Sequence, residues 1–139
     1  MMGAVAQSAR ANGGHTIGVI PQALVDLEVS DTLVNEMVVT TDMRQRKGVM
    51  DERSDAFLAL PGGIGTLEEL MEVWTAHSLN LHAKPVVVLD PWGDYELLRT
   101  QIQHWVKARF VRPDAIERVT WVTTVVDAMA ALTAPDHGA

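Results

Sequence analysis

The sequence predicts an α/β protein built on a doubly wound parallel sheet with helices on both faces. Three observations predict it. Short runs rich in Val and Ile alternate with stretches of helical periodicity, glycine and proline clusters mark the boundaries, and one strand runs through a glycine-rich turn directly into a helix. Parallel strands need such helix-length crossovers, and the strand–glycine–helix order is Rossmann-like.

Residues 1–12 are rich in alanine and read as a helix stopped by Gly13-Gly14. His15–Ile20 and Glu36–Thr40 carry β-branched residues and read as strands. Met43–Arg53 reads as a strongly charged helix, and Ala56–Leu60 as the strand that feeds the glycine turn. Leu67–Asn80 has helical periodicity, with Thr66 as its expected N-cap. Pro85–Leu89, with three consecutive valines, reads as a buried strand, and Pro91-Trp92-Gly93 as the turn after it. In Tyr95–Arg109, the residues Tyr95, Leu98, Ile102, Trp105 and Val106 share one helix face, opposite Glu96, Arg99, Gln103 and Lys107. Val119–Val122 and Val125–Leu132 complete the series as strand and helix. Residues 1–134 are expected to form one nucleotide-binding domain, and Pro135–Ala139 a frayed tail.

A chain of 139 residues, 47% of them apolar, can bury a substantial core. The absence of cysteine excludes disulfides and thiolate metal sites and fits a cytoplasmic protein. Neither a membrane-spanning apolar run nor a signal-type N-terminus is present in the sequence. A net charge of −7 argues against nucleic-acid polymers and anionic membranes as partners. A mononucleotide stays compatible, because one phosphate needs only a local positive site. Arg44, Arg46, Lys47 and Arg53 supply such a cluster within ten positions; a solvated helix face is the usual fate of a charge run, but Arg46 and Lys47 stand directly before the strand that feeds the glycine loop, an order that favours a ligand role. The histidines at 15, 77, 82, 104 and 137 show no metal-ligand spacing, so no metal is expected.

Leu60-Pro61-Gly62-Gly63-Ile64-Gly65-Thr66-Leu67-Glu68-Glu69 is the most informative stretch. Three glycines within four positions permit φ > 0 and clear side chains from the backbone. A strand, a glycine loop and a helix N-terminus in that order make an anion site, with phosphate as the expected ligand group. The stretch is neither a P-loop nor a dinucleotide fingerprint, since it lacks Gly-Lys-Ser/Thr and has Glu68 where the third glycine would stand. Thr66 and Glu69 also fit a capping box, which would make both merely structural.

Met43-Arg44-Gln45-Arg46-Lys47, followed by Pro61 through Glu69, resembles the LONELY GUY family of cytokinin riboside 5′-monophosphate phosphoribohydrolases. That family carries Met-His-x-Arg-Lys and then Pro-Gly-Gly-x-Gly-Thr-x-x-Glu at this spacing. The resemblance extends from the first residues to about Pro113; Arg44 replaces a frequent His and Ile64 a frequent Tyr. It implies hydrolysis of the N-glycosidic bond of AMP or its N6-prenylated form, with Arg46 and Glu69 as the catalytic pair. It also implies nucleotide contacts from Glu28, Lys47, Gly62, Gly63, Ile64, Gly65, Thr66, Leu67, Glu68 and Thr75, with no cofactor. Taken alone, Glu28 fits surface charge equally well, and Thr75 a structural helix position.

The resemblance further implies a leading strand–helix unit, about 30 residues or more, before Met1. It implies a homodimer too, for which Trp74, Trp105 and the apolar helix faces are candidates; the alternative is that those faces cover the sheet. A non-catalytic nucleotide or molybdenum-cofactor carrier of the same fold is the alternative function, and the Arg46 and Glu69 pair favours the enzyme. A lysine decarboxylase is disfavoured, because Lys47, Lys84 and Lys107 lie in no context suited to a pyridoxal phosphate Schiff base.

Overall fold

The computed structural model describes residues 2–25 and 33–134. The chain divides into two compact units, Met1–Ser54 and Asp55–Ala139. In the first, α1 (Met2–Ala11) precedes β1 (Ile17–Pro21), a short α2 (Gln22–Val25), β2 (Glu36–Thr40) and α3 (Met43–Arg53). β1 and β2 pair in parallel, from Ile17 opposite Glu36 to Pro21 opposite Thr40. Asn35 fastens the start of this pair: its side-chain oxygen accepts from the Thr16 N–H at 2.8 Å and from the Thr16 hydroxyl at 2.9 Å.

The helix α3 contains mostly polar residues and buries none, so its ends must hold it. Asp42 is the N-cap, its carboxylate accepting from the Gln45 N–H at 2.8 Å, while the Gln45 side chain accepts from the Thr41 N–H at 2.7 Å. This is a capping-box exchange displaced by one residue. Accepting the Gln45 N–H is the main reason the Asp42 carboxyl lies below the ordinary aspartate range. At the other end Arg53 forms a two-point ion pair with Glu36 on β2. That pairing is the leading cause of the lowered Glu36 pKa.

The second unit contains β3 (Phe57–Ala59), α4 (Ile64–Ser78), β4 (Val86–Leu89), α5 (Glu96–Lys107), α6 (Pro113–Glu117), β5 (Thr120–Val122) and α7 (Val125–Thr133). Its strands are all parallel in the order β3-β4-β5. Every residue of central β4 is buried. Val86 and Val88 face a core with Leu70, Trp74, Tyr95, Ile102 and Val119, whereas Val87 and Leu89 pack with Ala128 of α7. Alternate side chains leave opposite sheet faces, so the two clusters place helices on both faces of this sheet. The expected α/β fold with parallel strands is therefore the observed one.

Strand positions match the sequence reading within one or two residues, apart from the short ends. The sequence reading misses α2 and α6, of four and five residues, because each is too brief to show a helical period. Trp74 is only 6% exposed, and its indole N–H donates to the Ala115 carbonyl at 2.6 Å, tying α4 to α6. It is thus a core residue of its own unit, and the face-covering alternative holds for it. Trp74→Phe removes the donor and leaves that carbonyl unpaired. The expected cost is about 1–3 kcal/mol, read as a drop in Tm that is the same at every protein concentration.

Candidate functional site

The glycine turn lies in the second unit, where β3 ends and α4 begins. The structure alters its local geometry in two ways. First, α4 starts at Ile64, three residues earlier than the periodicity implies, with Gly63 as N-cap and no side-chain cap. Thr66 is therefore not the N-cap, and Thr66 with Glu69 do not form the capping box. The apolar pattern begins at Leu67, but the first helical turn is Ile64-Gly65-Thr66, which has too little apolar character to register as amphipathic. Glu69 consequently sits in the second turn of α4, not in the first.

Second, none of the three turn glycines has the left-handed backbone that the sequence reading allowed for. Positive φ occurs at Gly13 and Gly93, whereas Gly63 is extended, with φ −92° and ψ −151°. What distinguishes Gly62 is crowding: a Cβ there would lie 2.2 Å from Thr66 Oγ1. The Thr66 side chain folds back over the Gly62 backbone and occupies that space. Gly63 and Gly65 differ, since a Cβ at either would meet nothing within 4 Å. Neither packing nor φ explains glycine at those two positions.

Gly62, Gly63, Ile64 and Gly65 are all exposed, and Ile64 is 88% exposed at the head of the helix. The first α-helical bond here runs from the Leu67 N–H to the Gly63 carbonyl at 3.1 Å. The N–H groups of Ile64, Gly65 and Thr66 come before it, at the positive end of the helix dipole. The turn thus presents open backbone donors to an anion.

The remaining candidates occupy distinct places. Glu69 and Leu67 are half-buried on α4, and Glu68 is exposed. Thr75 is exposed too, and at 3.6 residues per turn it follows the stripe of Glu68 and Glu72 rather than that of Glu69. Arg46 and Lys47 belong to the first unit, both half-buried on α3. The Arg46 Nε donates to the Val19 carbonyl in the middle of β1 at 3.1 Å, which holds its guanidinium against that strand. Glu28 lies outside the described residues. Tyr95, read from the sequence only as an apolar helix position, proves to contact the turn through its hydroxyl. The polar tip of a buried tyrosine needs a partner, and that need was the available signal.

A family model described as "Possible lysine decarboxylase" matches residues 2–132. The cytokinin riboside 5′-monophosphate phosphoribohydrolase of Mycobacterium tuberculosis is 48% identical over 130 residues, covering 94% of this chain and 70% of that protein. The protein of the same name from Mycobacterium marinum gives the same identity and coverage. An Arabidopsis thaliana relative, also so named, is 42% identical over 139 residues, covering 99% of this chain and 65% of its own length. The chain belongs to the LONELY GUY family. In this LONELY GUY protein Lys84 lies with its Nζ 5.6 Å from the Phe57 ring centroid, a cation–π position.

Proposed function

We propose that this protein hydrolyses the N-glycosidic bond of AMP or an N6-prenylated AMP, releasing the free base and ribose 5-phosphate. One observation carries the reading: the open, side-chain-free backbone at Gly63, the N-cap of α4, and at Gly65 in its first turn, where an added Cβ would meet nothing within 4 Å. A 5′-phosphate accepts hydrogen bonds from those N–H groups and is favoured by the helix dipole. The names of the relatives support the same substrate class.

In this reading, water attacks C1′ as the bond from C1′ to the base breaks, and the proton that water gives up to Glu69 passes on to the departing base, which leaves Glu69 ionised again. The ribosyl group passes through an oxocarbenium-like state. The Glu69 carboxylate stabilises that positive charge and takes the proton from water. Arg46, held by Val19, supplies a fixed cation for the nucleotide, with Lys47 beside it in sequence. Gly62 through Glu68 line the phosphate, and Glu28 and Thr75 complete the set of nucleotide contacts. The proposal includes a cytoplasmic homodimer. Of the two tryptophans considered for an interface, Trp105, 37% exposed on α5, is the one left once Trp74 is assigned to the core. Among the described residues, no helix is long and apolar enough to cross a membrane.

The test is base release from AMP, its prenylated form and adenosine, followed by chromatography. The nucleotides should be cleaved and adenosine left nearly intact, because binding energy from the remote phosphate lowers the barrier at C1′. Equal rates on nucleoside and nucleotide would contradict the proposal. Tight AMP binding without turnover would favour a carrier.

A further inference from the structure

Tyr95 is 4% exposed and stands just ahead of α5, yet its hydroxyl reaches the glycine turn. It accepts from the Gly62 N–H at 3.0 Å and donates to the Leu60 carbonyl at 2.9 Å. One side chain therefore closes two backbone groups on either side of Pro61, at the point where the chain leaves β3. The tyrosine is itself fixed from below. The Asp90 carboxylate, at the end of β4, accepts from the Asp94 N–H at 2.8 Å and the Tyr95 N–H at 3.1 Å. Trp121 of β5 holds the ring edge-on, with centroids 6.2 Å apart.

We propose that Tyr95 is the positioning residue of the anion-binding turn, bracing Leu60 and Gly62 from the head of α5 so that the Gly63–Thr66 donors converge on a phosphate. This rests on the function proposed above. A glycine turn has no side chains with which to hold itself, and it loses more entropy on ordering than any other kind of turn. Anion affinity depends on donors that are already aligned. Burial, the main influence, raises the Tyr95 pKa above the ordinary tyrosine value, so the hydroxyl keeps its proton at neutral pH and can donate to Leu60.

Tyr95→Phe keeps the ring and removes only the hydroxyl. Calorimetry with AMP and with inorganic phosphate should show about tenfold weaker binding of both. Adenosine binding, measured by ligand-observed NMR, should be unchanged. The Gly62 amide should also exchange with solvent faster in the variant, a readout that separates loss of the brace from general loosening. Amides of β4 serve as the control for general loosening. Unchanged phosphate affinity in a folded variant, or an equal loss for adenosine, would overturn the role of Tyr95 and leave the proposed function standing. Failure of the unaltered protein to bind AMP or phosphate would overturn both.

Discussion

Replacing Glu69 with Gln should lower base release from AMP by roughly 10²-fold or more, the loss typical of a missing base or electrostatic partner, while AMP still binds. The substitution keeps the shape and removes only the negative charge. The position of Glu69 makes this a clean experiment. It is the sixth residue of α4 and takes no part in capping, so a lost cap cannot be mistaken for lost catalysis. Gln matches Glu in helix propensity, and the change should leave Tm nearly where it was. Single-turnover kinetics at saturating AMP, alongside a melting curve, would read both quantities. Turnover like that of the unaltered protein would remove Glu69 from the chemistry.

Two adjacent glycines should respond in opposite ways. Gly63→Val adds a side chain into open space at an extended backbone position, so the protein should still fold, at a cost of about 1 kcal/mol for a poorer N-cap residue. The added methyl groups point where the phosphate would lie, and AMP affinity should fall at least about tenfold, since phosphate contacts carry much of the binding. Gly62→Ala does the reverse: its Cβ falls 2.2 Å from Thr66 Oγ1, and the β-branched threonine can move only by changing rotamer. The expected cost is about 1–3 kcal/mol of stability. Combining it with Thr66→Ala should recover part of that loss, a non-additivity that independent sites do not show. Additive losses would mean that the crowding between Gly62 and Thr66 has no energetic weight.

Much of the fold was legible because its signals are local. The valines of β4 are buried on both faces and read as an uninterrupted apolar run. The bounds of α3 were also legible, since Asp42 and Arg53 sit at its ends. The start of α4 was less so. Helix geometry at Ile64 to Thr66 follows from the backbone's turn out of β3, not from any apolar repeat. For the site, the sequence located the glycine turn between β3 and α4 but misread its backbone, which has no positive φ at Gly62, Gly63 or Gly65. Backbone angles and the fold-back of Thr66 are set by three-dimensional packing. Tyr95 lies far along the chain from Gly62, and its link to the turn depends on strand order, which composition and spacing do not encode.

Every strand pairing described here is parallel, and this shapes how the protein reaches its native state. No pair can form through a tight turn between chain neighbours. Phe57 must find Val86, about 30 residues away, and Val87 must find Thr120 at a similar remove. Each closure costs loop entropy before any contact offsets it, so folding should be slow for a chain of this size. Until β5 arrives, β4 offers a bare edge of consecutive valines to any other chain nearby, which makes the half-formed sheet the species most prone to aggregate.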